Sequence, residues 1–315
     1  MKTIDLIIPT YKPDDTFAEL LKRIKKQTIQ PNRIIVINTE ESYYDTSKFE
    51  TLPNMTLIHI TKEEFDHGGT RNYGVSLSEA DYVMLMTQDA MPANKYLIEE
   101  MLKGFSDDTI GAVYGRQLPR KHAGTVEAYT RSFNYPKESQ IKRKEDIERL
   151  GIKAFFCSNV CAAYRRDLYE QLGGFVTKTI FNEDMIFAYH VLQADYAIHY
   201  AADAMVIHSH GYAYIDQFRR NFDLAVSQKQ YNEIFGQVKS ESEGIKYVKT
   251  TIKYLNEKKK YLSIIDFIME SGFKFLGYKL GHMYNRLPDS MVRWCSMNKS
   301  YWTKKEQEDR RKQDE

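Results

Sequence analysis

Short apolar runs alternate with amphipathic stretches over the first two thirds of the chain. Ile4 to Ile8 is one such run, closed by Pro9; Ile34 to Ile37, Met55 to Ile60, Tyr82 to Met86 and Gly111 to Tyr114 follow. Runs of this length, rich in β-branched residues, predict buried strands. Between them, Asp15 to Gln27 sets Phe17, Leu20, Leu21 and Ile24 on one helical face, and Thr70 to Ser78 and Asn94 to Phe105 are helical in pattern. Strands separated by helices predict βαβ units and a mostly parallel sheet, an α/β fold. Phe155 to Tyr164 returns as strand, with two short strands later, Tyr196 to Tyr200 and Ala204 to His208. The polar stretch Gln117 to Leu150 is longer than most connections, so it is an active-site flap, an acceptor-binding insertion or a plain surface loop.

After about Ser240 helical patterns take over: Ile245 to Leu255, Tyr261 to Tyr284 and Ser290 to Ser300. This predicts a catalytic domain over 1–240, a helical region over 241–303 and a charged tail over 304–315 that cannot bury a core. From Lys246 to Lys305 there are 13 Lys or Arg against four acids, and both tryptophans, Trp294 and Trp302, fall there. Basic helices with Trp suit the inner face of a membrane. Packing on the catalytic core, or a homodimer interface, uses the same apolar residues.

Composition narrows the classes. A net charge of +2 excludes a whole-molecule basic field for nucleic acid. Cys157, Cys161 and Cys295 are odd in number and include no CxxC pair, which argues against a disulfide framework or zinc site. Met1 leads directly into the first strand and no run nears ~18 apolar residues, so neither a secretory signal nor a spanning helix is expected. The expected location is cytoplasmic, unless a partner or surface helix holds the chain at the bilayer.

In open α/β sheets ligands bind beyond the carboxyl ends of strands. Three strands here end in polar residues: Pro9-Thr10-Tyr11, Asn38-Thr39-Glu40 and Thr87-Gln88-Asp89. Asp89 suits a divalent metal bridging two phosphates, or a helix cap. Between the third strand and the next helix lies Phe65-Asp66-His67-Gly68-Gly69-Thr70-Arg71-Asn72. Its glycines allow close backbone approach, the helix N-terminus favours anions, and Arg71 suits phosphate. Asn182-Glu183-Asp184 opens an apolar helix, either as a source of a general base or as acids in a capped first turn. In His208-Ser209-His210 both imidazoles face one side of an extended segment, as ligands or as a structural pair.

Together these residues resemble the family 2 glycosyltransferases of the GT-A fold, over roughly Thr3 to Tyr212. Ile7-Ile8-Pro9-Thr10-Tyr11 is similar to that family's first strand and nucleotide-facing turn, and Thr87-Gln88-Asp89 stands where the family carries its Asp-x-Asp metal motif. Gly173-Gly174-Phe175 followed by Glu183-Asp184 resembles the acceptor-side segment, and the resemblance implies Asp184 as the catalytic base. A His after the last core strand, His208 or His210, is implied to complete the metal site. His67-Gly68-Gly69-Thr70-Arg71-Asn72 is similar to the His-Gly-x-Thr-Arg-Asn signature of bacterial rhamnosyltransferases. Ile37-Asn38-Thr39-Glu40 and the basic C-terminus resemble streptococcal enzymes that build rhamnan on lipid carriers.

The resemblance implies an inverting enzyme that takes L-rhamnose from dTDP-β-L-rhamnose to an undecaprenyl-linked saccharide, with Mg²⁺ or Mn²⁺, at the inner membrane face. It implies nucleotide-sugar contacts at Pro9, Thr10, Tyr11, Glu40, Asp66, His67, Arg71, Gln88 and Asp89. Catalysis is implied at Asp184 and Glu183, and metal ligation at Asp89, His208 and His210. Two positions depart from the pattern: Thr87 replaces the first Asp of the metal motif, and Glu40 replaces an Asp. Another nucleotide sugar such as a UDP-hexose, and a non-catalytic scaffold of a polysaccharide assembly complex, are the alternatives. A nucleotidyltransferase needs a Gly- and Lys-rich triphosphate loop, and Pro9 to Asp15 has one lysine and no glycine.

Overall fold

The computed structural model describes residues 2–209, 211–238 and 241–303. His210 and the tail 304–315, both singled out above, lie outside the described residues. The chain divides into two compact units, Met1–Thr177 with Glu183–Ser209, and Lys178–Asn182 with His210–Glu315.

The first unit opens with β1 (Ile4–Tyr11), α1 (Asp15–Ile24), β2 (Ile34–Thr39), β3 (Met55–Ile60), α2 (His67–Ser76), β4 (Tyr82–Met86), β5 (Met91–Pro92), α3 (Leu97–Lys103) and β6 (Ile110–Leu118). It continues with α4 (Thr125–Asn134), β7 (Gln140–Lys142), α5 (Asp146–Leu150), β8 (Cys161–Arg165), α6 (Arg166–Gln171), α7 (Glu183–Gln193) and β9 (Ala197–Ile207). The apolar face of α1 explains its place: Phe17, Leu20, Leu21 and Ile24 are completely buried against the sheet residues Leu6, Ile8 and Val36.

The strand order is β3-β2-β1-β4-β8-β6-β9-β5, with β7 pairing β9. β1 pairs β2 and β4 in parallel, and β2 pairs β3 in parallel. β8 then enters antiparallel to both β4 and β6, so β6 and its parallel partner β9 run the same way as β4. The carboxyl ends of β1, β2, β4, β6 and β9 therefore meet at one edge. The residues just before β8 reach that edge too.

Several boundaries differ from the periodicity. α2 begins at His67 rather than Thr70 because Asp66 caps it, its carboxylate accepting from Gly69 N at 2.6 Å. A first turn of His-Gly-Gly carries no apolar stripe to mark it. The two late strands are one, β9, whose register with β6 shifts at Gly115/Arg116. A Cβ on Gly115 would lie 2.6 Å from Ala204 O, so the bulge needs glycine there. The run from Phe155 is strand only from Cys161, since Gly151–Phe155 closes as a 3₁₀ turn. The polar stretch after Gln117 folds into α4, β7 and α5 instead of a loop. Lys142 of β7 anchors it, donating to Lys153 O at 3.0 Å and Phe156 O at 2.6 Å. Its burial pushes the Lys142 ammonium down to about 7.

The second unit is helical: α8 (Tyr214–Gln230), α9 (Asn232–Phe235), α10 (Glu241–Glu257), α11 (Tyr261–His282) and α12 (Asp289–Cys295). α8 and α9, which precede the expected Ser240 boundary, belong by contact with these later helices. α11 lies close on α8: a Cβ on Gly277 would sit 2.1 Å from Phe218 O, and one on Gly281 2.3 Å from Phe222 O. Phe218, Phe222 and Val226 pack with Ile180, Val292 and Trp302. Among the described residues no helix is long and apolar enough to cross a membrane.

Candidate functional site

At the carboxyl edge of the sheet, the Gln88 side chain clasps the end of β1. Its Oε1 accepts from Tyr11 N at 2.8 Å and its Nε2 donates to Tyr11 O at 3.0 Å. Thr10 Oγ1 donates to Asn38 Oδ1 at 3.1 Å, joining the ends of β1 and β2. Asn38 also donates to Glu40 O, and Glu40 takes a positive φ of 67° that turns the chain out of β2. Tyr11 remains exposed beside Tyr43, with Lys12 Nζ 4.6 Å from the Tyr43 ring centre. Pro9 is half-buried in β1, one residue back from this edge.

Asp89 is not a helix cap, since α3 starts at Leu97. Its Oδ2 lies 3.4 Å from Nε2 of the buried His208, which follows β9. Gln117, at the end of β6, fixes the tautomer of His208. Arg131 donates to Gln117 Oε1, and an arginine can only donate, so that atom is the carbonyl oxygen. His208 Nδ1, 2.9 Å from the same oxygen, therefore carries the proton. In the neutral imidazole the Nε2 lone pair then faces the Asp89 carboxylate. Two acceptors at that distance call for a proton or a cation between them. Thr87 Oγ1, two residues before Asp89, is buried without a hydrogen-bond partner. These features fit a divalent cation, although among the described residues no three His, Cys, Asp or Glu side chains gather at one point.

The other side of the site is built by α2 and α7. Asn72 locks the segment after α6, its Oδ1 accepting from Phe175 N at 2.9 Å and its Nδ2 donating to Phe175 O at 2.9 Å. Gly68 lets α2 touch that segment, because a Cβ there would lie 2.0 Å from Val176 O. At Gly68 the close approach is thus made to the protein's own backbone. Asp66 is likewise engaged as the helix cap. Arg71 is buried, its Nη1 donating to His67 O at 2.7 Å and lying 3.4 Å from Glu183 Oε1. The resemblance implies a nucleotide-sugar contact for Arg71; within the chain its buried charge is balanced by the Glu183 carboxylate.

Glu183 and Asp184 open α7 and are pushed in opposite directions. Burial penalises the Glu183 charge, but Arg71 and His67 prevail and hold it below the ordinary carboxylate range. Burial, then the neighbouring Glu183 charge, raises Asp184 to about 7. Asp184 Oδ2 accepts from Asn159 N at 3.1 Å and Oδ1 from Met185 N at 2.8 Å. Burial lowers His67, favouring its neutral form. The pair thus provides one fixed anion and one carboxyl poised to exchange a proton near neutral pH.

The structure therefore brings Thr10, Tyr11, Glu40, Gln88, Asp89 and His208 to one sheet edge, and groups Asp66, His67, Arg71, Glu183 and Asp184 around the starts of α2 and α7. The turn before β8 touches both groups: Ser158 Oγ accepts from Gln117 Nε2 at 3.2 Å, and Asn159 N reaches Asp184. Gln117, Ser158 and Asn159 went unread in the sequence. Gln117 opens a polar stretch of many similar residues, and Asn159 sits within an apolar run that reads as strand.

The sequence pattern described as Glycosyl transferase family 2 matches residues 5–173. The O-antigen chain rhamnosyltransferase RfbN of Salmonella typhimurium is 41% identical over 307 residues, 95% of this chain and 96% of that protein. The O-antigen chain rhamnosyltransferase WbaN of Salmonella anatum is 41% identical over 311 residues, 96% of each. Among solved structures, the mannosyltransferase PcManGT from Pyrobaculum calidifontis, in complex with GDP-Man and Mn²⁺, superposes with a TM-score of 0.60 at 16% identity, covering 90% of this chain and 88% of that one. S. aureus TarS 1-349 superposes with a TM-score of 0.51 at 16% identity, covering 91% of each chain. At these identities the structures share the fold.

Proposed function

The chain belongs to glycosyl transferase family 2, and we propose that it is a rhamnosyltransferase of surface-polysaccharide synthesis, moving L-rhamnose from dTDP-β-L-rhamnose to a hydroxyl of a lipid-linked saccharide. The sugar is carried by one observation: identity of 41% over nearly the whole length to two proteins named rhamnosyltransferases. A lipid-linked acceptor places the reaction at the inner face of the membrane, with the enzyme peripheral to it.

In the proposed mechanism Asp184 in its carboxylate form takes the proton of the acceptor hydroxyl. The hydroxyl oxygen attacks the anomeric carbon from the face opposite the diphosphate, the carbon–oxygen bond to dTDP breaks, and the configuration inverts. A β-linked donor then gives an α-rhamnoside. Glu183 remains ionised against Arg71 and keeps Asp184 basic enough to accept that proton. Asn159 N aims the Asp184 carboxylate. At the sheet edge, Thr10, Tyr11, Glu40 and Gln88 seat the nucleoside, and Asp89 with His208 would hold Mg²⁺ or Mn²⁺. That ion would neutralise charge on the leaving diphosphate.

A donor panel tests the sugar. Transfer is expected from dTDP-L-rhamnose and not from UDP-hexoses or GDP-mannose. Thermal shifts should show dTDP with Mg²⁺ or Mn²⁺ stabilising the chain by about 2.7 kcal/mol at a hundredfold excess over Kd, and by less without the ion. Transfer from a UDP-hexose with no turnover of dTDP-L-rhamnose overturns the assignment, and stabilisation by dTDP indifferent to metal removes the cation.

A further inference from the structure

We infer that the outward face of α11 lies in the head-group region of an anionic membrane and holds the enzyme flat on its surface. The inference deepens the reading of a lipid-linked acceptor, yet it stands on the face itself. α11 has two apolar faces. One carries Phe267, Gly277 and Gly281 and is buried, the glycines against α8. The other carries Leu262, Ile265, Met269 and Leu276, spaced by three, four and seven residues, and all are exposed. Leu262 is 84% and Ile265 63% exposed. Tyr261, Ile268 and Phe275, seven apart, form a second exposed column beside them. From Tyr261 to Leu276 this stripe runs roughly 22 Å along the helix. Scattered surface apolar residues need no explanation, but a continuous stripe of this length does.

Charge identifies what covers it. The two acids of α11 are both engaged: Asp266 accepts from Tyr214 Oη, and Glu270 accepts from Gln217 Nε2 and pairs with Lys274. Cations outnumber acids around the stripe, where Glu257 and Asp266 are the exposed acids. Lys258, Lys259 and Lys260 are exposed at its start. Lys279 Nζ lies 5.5 Å over the ring of Phe275, one of the exposed stripe residues. A second copy of the chain docking by this face would set this excess of positive charge against itself. An anionic lipid surface complements it and accepts the apolar side chains at the same time. The helix lies in the plane of the membrane rather than across it, since no described helix is apolar enough to span.

The experiment is co-sedimentation of the full chain with vesicles of phosphatidylglycerol and phosphatidylethanolamine, and with neutral phosphatidylcholine vesicles. The parent should bind the anionic vesicles, weaken as salt rises, and leave the neutral ones in solution. Combined Leu262→Glu, Ile265→Glu and Leu276→Glu should lower binding at least tenfold with the melting temperature retained. Lys258→Gln, Lys259→Gln and Lys260→Gln together should lower it several-fold. Parent that ignores anionic vesicles, or a triple-Glu variant that binds like the parent, overturns the inference. So does a parent dimer that the triple-Glu change dissociates, which would put a second copy on the face. Turnover of dTDP-L-rhamnose is measured on the same samples in detergent. Turnover without vesicle binding sinks this inference alone, and vesicle binding without turnover sinks the proposed reaction alone.

Discussion

Glycines bring backbones together in both units, with different consequences. In the sheet unit, Gly68 lets α2 meet Val176 O, and the contact sets Arg71 against Glu183 and Asn72 against Phe175. In the helical unit, Gly277 and Gly281 let α11 meet α8, and the contact leaves the opposite face of α11 bare. Close packing around the first glycine is surrounded by buried, paired polar groups that perturb one another's protonation. Close packing around the second is flanked by polar pairs that only join the helices, Gln217 with Glu270 and Tyr278 with Gln228. The same local device therefore serves the proposed chemistry only in the sheet unit, where the pair it sets, Arg71 with Glu183, adjoins Asp184.

The comparison breaks most sharply at Asp184. Asp184→Asn keeps the shape and one of two acceptor atoms but removes the base, so transfer should fall by ~10²–10⁴-fold while dTDP binding stays. Parent activity should rise as pH passes through about 7, and the residual activity of the variant should lack that limb. Stability should move the other way. The folded state holds the Asp184 proton more tightly than the unfolded chain, so its contribution is full below the unfolded range near ~3.9 and lost as pH climbs to about 7. Asp184→Asn should therefore gain melting temperature relative to the parent between those limits and no further above them. Transfer at the parental rate, measured with purified donor, removes Asp184 from the mechanism.

Glycine substitutions sharpen the comparison directly. Gly68→Ala and Gly277→Ala both press a methyl onto a carbonyl oxygen, at 2.0 Å and 2.1 Å before relaxation. Each should cost about 1–3 kcal/mol of stability, as overpacking does. Only Gly68→Ala should also lower kcat in protein that remains folded, because the shift passes through Arg71 and Asn72 to the segment before α7. Equal kcat losses in the two variants, assayed with saturating donor below their melting temperatures, would erase the distinction drawn above.

The sheet unit was legible because its strands are short, apolar and spaced by amphipathic helices; β3 and β4 begin and end where their runs do. The strand-end rule found Thr10, Gln88 and Asp89 for the same reason. Partnership was not legible. Arg71 beside two glycines at a helix start has the look of a phosphate site, and nothing local reveals that Glu183, over a hundred residues on, claims it. Gln117 and Asn159 act through a shared turn before β8 that only the antiparallel insertion of that strand creates. The helix pattern of α11 was clear from periodicity, while which of its two apolar faces is covered depends on where α8 lies.

The smallest effect expected is also the most direct measure of that bare face. Leu262 is apolar and helical, so sequence alone would price its loss like that of a core leucine, about 2–5 kcal/mol on truncation to alanine. Its exposure of 84% says otherwise: little area leaves water when the unit folds, and no cavity follows its removal. Leu262→Ala should change unfolding free energy by less than about 0.5 kcal/mol, as surface substitutions do. Phe267→Ala, five residues on and completely buried, should cost about 3–5 kcal/mol in the same helix. Urea unfolding of the two variants side by side reads the difference. A Leu262→Ala loss approaching that of Phe267→Ala would mean that the face is already covered in solution, by another part of the chain or a second copy, and would leave it unavailable to any membrane.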